Sequence, residues 1–301
     1  MFDPEEKSIY RATLTRLLST ASLHTPHGLF QDIEDRFWFW CVTEGYRTDE
    51  RLRKILPSYP SEEIQYRFAG AAGDDTMRDA FAIYQMVKNL AARHLNWPPV
   101  TILEFGCGWG RILRLFTRHT SPKNLWGIDC LPTAIEICRT TNPNATFHLV
   151  EPFPPTVIAD DTFDLVYAYS VFSHLSEAAH LAWLEEFRRI LKPGGILVAT
   201  TRPRDFIFTC ANLRAAGERR RWALGSVLAF EDTEDALRRY DQGEYLHQPL
   251  GGGDVLADSF YGETCIPEAY VRANWTKMLQ VVDYLDDRHL CQQSVAVARK
   301  I

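Results

Sequence analysis

The stretch Thr101-Ile102-Leu103-Glu104-Phe105-Gly106-Cys107-Gly108-Trp109-Gly110-Arg111 decides the fold. An apolar run ends in an acid, passes through glycines at alternating positions, and leads into helical spacing over Trp109–His119. Glycines placed there let the backbone turn tightly and let a ligand approach the main chain. A helix N-terminus would face the same crevice. A dinucleotide-binding loop would set its third glycine at position 111, which is Arg111 here. Glu104, two residues before the first glycine, suits a ligand with an ammonium group and no pyrophosphate. The dinucleotide reading is therefore the weaker one.

Outward from this loop, short apolar runs alternate with helical patterns. Val100–Phe105 is followed by Trp109–His119, Leu125–Asp129 by Pro132–Thr140, then come Thr146–Val150, Phe163–Tyr169 with Ser176–Leu191, and Gly195–Thr201. Such alternation predicts a mostly parallel sheet with helices on both faces. Pro193-Gly194-Gly195 stops one helix and turns the chain into the next strand. Ile266–Thr276 reads as a last helix, and Leu279–Leu285 with Gln293–Arg299 as a strand pair whose short turn implies antiparallel pairing. The expected fold class is α/β, a doubly wound and mostly parallel seven-stranded sheet of Rossmann-like type, with an antiparallel last strand.

Two segments stand outside that rhythm. Residues 1–98 read as a helical cap, with a helix start at Ser61 before Glu62-Glu63 and another helix over Thr76–Leu95. Phe37-Trp38-Phe39-Trp40 is apolar on several sides and is expected to be cap core. Residues 203–264 carry many charges, Gly251-Gly252-Gly253 and helical stretches near 208–222 and 231–241. They read as an insertion after strand five, or a lid. The division is thus 1–98 cap, 99–202 ligand-binding core, 203–264 insertion and 265–301 completing the core.

Composition bounds the function. The 301 residues are 46% hydrophobic and 24% charged, which excludes a largely disordered chain. No run approaches the ~18 apolar residues of a membrane-spanning helix, and the first residues lack the apolar core of a secretory signal. A net charge of −6 argues against nucleic acid as partner, and Arg219-Arg220-Arg221 is too short a basic run to change that. Seven scattered cysteines with no CxxC fit reduced thiols and a cytoplasmic setting. Histidines and carboxylates are not clustered at ligand spacing, so no metal is expected.

The loop resembles motif I of the class I S-adenosylmethionine-dependent methyltransferases, and later landmarks follow in that family's order. Asp129 closes Leu125-Trp126-Gly127-Ile128-Asp129, Glu151 follows the third strand, and Asp161–Tyr167, Ser170–Leu175 and Leu191–Gly195 resemble the fourth strand, its exit and the turn into the fifth. The resemblance covers about residues 99–202, with 266–301 fitting the last helix and strand pair. It implies S-adenosylmethionine as cofactor, with Gly106, Gly108 and Gly110 as its loop and Glu104 at its methionine end. Asp129 would accept from both ribose hydroxyls, and Glu151 from the adenine amino group. Ser170 would line the methionine end, and Arg67 from the cap could pair with the cofactor carboxylate. Arg111 is equally a structural or a cofactor residue.

His174, at the exit of the fourth strand, is the candidate general base for a hydroxyl acceptor, against a structural or orienting role. Tyr261, Glu263 and His247 form a second tier. The segment Tyr261–Trp275 resembles bacterial methyltransferases that modify sugars, which makes the hydroxyl of a sugar or glycan the leading acceptor. A natural-product phenol, amine or carboxylate is the alternative. Outside this class stand an NAD(P)-dependent oxidoreductase and a non-catalytic cofactor-binding module. Substrate specificity is expected to reside in the insertion and the N-terminal helices. The oligomeric state is not legible.

Overall fold

A computed structural model describes residues 2–20, 25–220 and 223–301. Its centre is a seven-stranded sheet built from β1 (Ile102–Phe105), β2 (Leu125–Asp129), β3 (Thr146–Leu149), β4 (Phe163–Ala168), β5 (Leu191–Thr201), β8 (Gln280–Leu285) and β9 (Ser294–Arg299). A separate two-stranded ribbon, β6 (Leu246–Pro249) with β7 (Gly262–Cys265), belongs to the insertion. The large sheet runs β3-β2-β1-β4-β5-β9-β8. Its first five strands are parallel, and β9 lies antiparallel between β5 and β8. Strand order reverses between β1 and β4. In open α/β sheets that reversal leaves a crevice beyond the carboxyl ends of the strands, where ligands bind.

Each strand divides its side chains between the two faces because the side-chain period is two. Ile102, Leu165, Tyr167, Ile196, Val198, Val295 and Val297 pack under the N-terminal helices together with Tyr84, Leu90, Leu113 and Phe116. Leu103, Phe105, Val166, Ala168, Leu197, Ala199, Ala296 and Ala298 meet Trp183, Phe187, Ile190 and Trp275 on the opposite face. Burial on both faces is what makes these strands read as continuous apolar runs. Phe37, Trp38 and Trp40 are buried in the first of these cores, and the Trp38 indole donates to the Leu115 carbonyl at 3.1 Å.

In the cap, Ser61 caps the helix Glu62–Ala69 by accepting from the Ile64 amide, and Gly70 ends it at φ 68°. The helix Gly73–His94 then crosses the sheet. Three sequence expectations change. The long helix over Trp109–His119 contracts to Leu113–Phe116. Its start is held in a turn by Gly110 at φ 73° and by Arg114, which donates to the Gly110 and Ser58 carbonyls and lies between the Tyr59 and Trp109 rings. In the insertion, the expected helix near 208–222 appears as Asp205–Ala215 and Leu224–Leu228; Arg221 and Trp222 lie outside the described residues. Thr233–Asp241 is helical as expected, capped by Asp232. The ribbon β6–β7 was not expected at all.

Candidate active site

The crevice at the β1/β4 reversal opens into a cavity of about 700 Å³, within the usual size of small-molecule sites. Its floor is the glycine loop. The Gly106 and Cys107 amides both donate to the Ile128 carbonyl, at 2.8 and 3.1 Å, tying the loop to the end of β2. Gly106 sits at φ 70°, and a Cβ there would lie 2.4 Å from Val171 Cγ2. No other residue type meets both conditions. Gly110 does not line the cavity. It lies beneath the loop, where a Cβ would approach the Cys138 sulfur to 3.3 Å, and the Cys138 thiol donates to the Gly108 carbonyl at 3.2 Å.

Two carboxylates stand at neighbouring strand ends. Asp129 accepts from the Gly108 amide and from the Leu131 amide, both at 2.9 Å. Burial nevertheless outweighs these donors and raises its pKa. Each carboxylate oxygen keeps a lone pair directed elsewhere, because a carboxylate accepts about four bonds. Glu104 is 3% exposed and accepts from the Leu113 amide at 3.0 Å. Burial pushes it up to about 8, with the Tyr167 hydroxyl and the Arg111 guanidinium pulling the other way.

That displacement has a measurable sign. Between 4.5 and about 8, Glu104 is ionised in the unfolded chain and protonated in the folded one, so its contribution to stability is lost as pH rises through that window. Each pH unit is about 1.4 kcal/mol at full titration. Ligand-free Glu104→Gln is expected to melt above the wild type at pH 8, the difference closing towards pH 4.5. Melting curves separated equally at both pH values would contradict this. A cation held beside Glu104 would restore its ionised form.

The remaining expected residues divide. Glu151 lines the cavity on the loop after β3. Ser170 lines it at the exit of β4, held at φ 59° by its amide donating to Thr200 Oγ1 at 2.8 Å. Gln293 donates to its hydroxyl at 2.9 Å. Arg67 is a correction: it is exposed on its helix, and the neighbouring Phe68 and Ala69 line the cavity instead. The guanidinium that does reach the cavity is Arg111. It lies over the Tyr169 ring, 5.6 Å from the centroid, and has no ion-pair partner among the described residues.

His174 lines the cavity but is not placed to take a proton. Nδ1 donates to the Gly262 carbonyl at 2.8 Å, which leaves Nε2 as acceptor, facing Arg202 Nη2 at 3.3 Å. Burial and then the Arg202 charge lower its pKa to about 3. The imidazole is therefore a neutral support, and the expected base is corrected to a positioning residue. It supports Tyr261, whose ring stacks on it at 5.0 Å with a 7° interplanar angle. Arg202 pairs with Glu263 at 2.7 Å, and burial raises that carboxylate to about 7. His247 is turned away from this cavity and bonds Thr264 Oγ1 at 2.8 Å.

The insertion is hydrogen-bonded to the exit of β4. The Ser176 amide donates to the Phe260 carbonyl, Gly262 to His174 and Thr264 to Ser173, at 2.7, 2.8 and 2.9 Å. Thr264 Oγ1 and the Tyr245 hydroxyl both donate to the Leu175 carbonyl, at 2.8 and 2.9 Å. Strand β7 thus zips onto the exit of β4, which brings Leu256, Phe260 and Tyr261 to the cavity.

Sequence reasoning missed the opposite wall. The connection between β8 and β9, expected to be a short turn, spans residues 286–293, and Arg288, His289, Leu290, Cys291 and Gln292 line the cavity from it. Asp79, Ala82, Ile83 and Met86 join them from the helix Gly73–His94. The polar run Asp286-Asp287-Arg288-His289 between two strands was the available signal. Among the described residues no group of three or more His, Cys, Asp or Glu could hold a metal ion, and no helix is long and apolar enough to cross a membrane.

Comparison with known proteins agrees with this architecture. Residues 102–195 match the model of a methyltransferase domain family. The chain is 29% identical over 176 residues to a ubiquinone biosynthesis O-methyltransferase of Nitrobacter winogradskyi, covering 53% of this chain and 65% of that one. It is 28% identical over 173 residues to a phthiotriol/phenolphthiotriol dimycocerosates methyltransferase of Mycobacterium leprae, covering 56% and 60%. The chain thus spans less than two thirds of the length of either relative. Among solved structures, DesVI of Streptomyces venezuelae aligns at 16% identity with a TM-score of 0.48, over 81% of this chain and 100% of that one. Residues 102–195 thus form a methyltransferase domain, and its loop, two carboxylates and strand order resemble those of the class I S-adenosylmethionine-dependent methyltransferases. S-adenosylmethionine is its cofactor.

Proposed function

We propose that this protein transfers a methyl group from S-adenosylmethionine to a hydroxyl of a small acceptor. The observation that carries the reading is the pair of buried carboxylates, Glu104 and Asp129, flanking one glycine loop in one cavity. The residues fit the cofactor's functional groups. Asp129 keeps acceptor capacity for a ribose diol, Glu104 for an ammonium, and Arg111 offers a fork of donors that matches a carboxylate. Glu151 stands at the end of the cavity where the adenine would be read. When bound, the cofactor supplies a methyl group activated on a sulfonium for transfer to a nucleophile. The protein's share is to position the partners and exclude water.

The acceptor end is framed by Phe68, Ile83, Met86, Tyr169 and Leu290. This lining favours a hydroxyl on a largely apolar ring, in keeping with the relative named for ubiquinone biosynthesis. A sugar or glycan hydroxyl is the second reading, favoured by the polar Asp79 and Gln292 in the same lining. Among the titratable side chains lining the cavity, His289 or Asp79 is proposed to take the hydroxyl proton in place of His174. A cytoplasmic setting accords with the seven free thiols.

The test is calorimetric titration of the purified protein with S-adenosylmethionine, S-adenosylhomocysteine and NADH, followed by mass-spectrometric assay of S-adenosylhomocysteine release with phenolic and sugar acceptors. Binding of the two adenosyl ligands without NADH, and acceptor-dependent release, is expected. Binding of NADH alone, or of neither adenosyl ligand, overturns the proposal.

A further inference from the structure

We propose that Tyr261, carried by the insertion and lying outside the matched methyltransferase domain, closes the adenosyl end of the cavity and sets the affinity for the cofactor there. The inference rests on the functional reading above and assigns one wall of that site to a segment the family model does not cover, since the match ends at residue 195.

Three independent placements put this wall at the Asp129 end. Leu256, Phe260 and Tyr261 line the same cavity as Asp129, Cys130, Leu131 and Glu151. Tyr261 is bridged backbone to backbone with Leu175 at the exit of β4, and both line the cavity together with Pro152, which follows Glu151. Phe260 meets Phe153 edge-on at 5.9 Å, on the loop that carries Glu151. Insertion and adenine loop are therefore packed together.

The ring is also built to hold one orientation. His174 supports it over one face in a nearly parallel stack, and His174 is itself fixed by Gly262 and Arg202. At the ring edge stands Gly252, where a Cβ would lie 3.0 Å from Tyr261 Cε1. The Gly251–Gly253 run, which the functional reading left unused, thus has a role. It lets the chain fold back so that the Gly252 amide donates to the Leu256 carbonyl at 2.8 Å and the Gly251 amide to the Tyr261 carbonyl at 3.0 Å. An aromatic ring fixed on one face and at one edge presents its remaining surface to the cavity at little entropic cost. Flat apolar surface of that kind suits a purine, which every aromatic side chain can stack against.

The experiment uses two ligands that share the adenosyl group and differ at the other end. The purified full chain and its variants are titrated with S-adenosylhomocysteine and with 5′-methylthioadenosine, which lacks the amino-acid portion. Tyr261→Ala is expected to weaken both ligands by the same factor, about tenfold. Tyr261→Phe is expected to keep both affinities, since the ring and not the hydroxyl makes the wall. Arg111→Ala is expected to weaken S-adenosylhomocysteine and spare 5′-methylthioadenosine. Should Tyr261→Ala not fold, as judged by its thermal melt, Leu256→Ala probes the same wall and is expected to weaken both ligands in the same sense. Unchanged affinity of Tyr261→Ala for both ligands overturns the inference. So does a loss confined to S-adenosylhomocysteine, which would move Tyr261 to the other end. A wild-type protein that binds neither ligand removes the functional reading itself, an outcome distinct from either.

Discussion

Asp129→Ala is expected to lower the affinity for S-adenosylhomocysteine by about a hundredfold or more. Two contributions add. Hydrogen bonds to a charged acceptor are each ~1.5–3 kcal/mol, and about 2.7 kcal/mol already corresponds to a hundredfold. Removing the carboxylate also strands the Gly108 and Leu131 amides, which donate to its two oxygens, so the floor of the cavity loses the anchor that shapes it. Asp129→Asn separates the two. It keeps one carbonyl oxygen for one amide, and its expected loss is about tenfold. Calorimetry on both variants decides. Equal, small losses would show that the ribose is not read from this position.

Gly106→Ala is expected to destabilise the protein by about 2–4 kcal/mol and to remove cofactor binding with it. The new Cβ would meet Val171 Cγ2 at 2.4 Å while the backbone stays at φ 70°. In a domain of this size each kcal/mol moves the melting temperature by roughly 2–4 °C, so the shift is easily read. The two causes are separable by a second substitution. Val171→Ala removes the clashing methyl, and Gly106→Ala/Val171→Ala is expected to recover the steric part while the left-handed backbone cost persists. Full recovery in the double variant would mean that backbone conformation contributes nothing. No change in the single variant would mean that the loop can relocate freely.

The parallel sheet was legible because its strands are buried on both faces. Ile102–Phe105 and Phe163–Ala168 carry apolar residues at every other position towards each core, and a run of that kind survives in the sequence without any partner being known. Glu104 and Asp129 stood out for a related reason, since each is the polar residue in or at the end of such a run. The ribbon β6–β7 was not. Leu246-His-Gln-Pro249 and Gly262-Glu-Thr-Cys265 have no strong strand alternation. They are extended because the β7 amides find acceptors in the Ser173 and His174 carbonyls, some 90 positions away in the chain. Arg67 and Arg111 show the same limit. Either could have met a carboxylate by type, and only the packing of Phe68 inward and Arg67 outward chose between them. For His174 the sequence offered a histidine at a strand exit, while its tautomer depended on a carbonyl at Gly262, 88 positions later.

The two ends of the cavity are furnished by different parts of the chain, and this has an evolutionary meaning. In the reading proposed above, the adenosyl wall comes from the core loops and from an insertion bonded to the exit of β4, whereas the acceptor wall comes mainly from the helix Gly73–His94 and the loop 286–293, with Phe68 and Tyr169 added. On that reading, drift in Ile83, Met86 or Leu290 would re-tailor what is methylated while leaving the grip on the methyl donor intact. Selection on acceptor choice has separate ground to work on, and a laboratory seeking new acceptors can confine its library to those two segments.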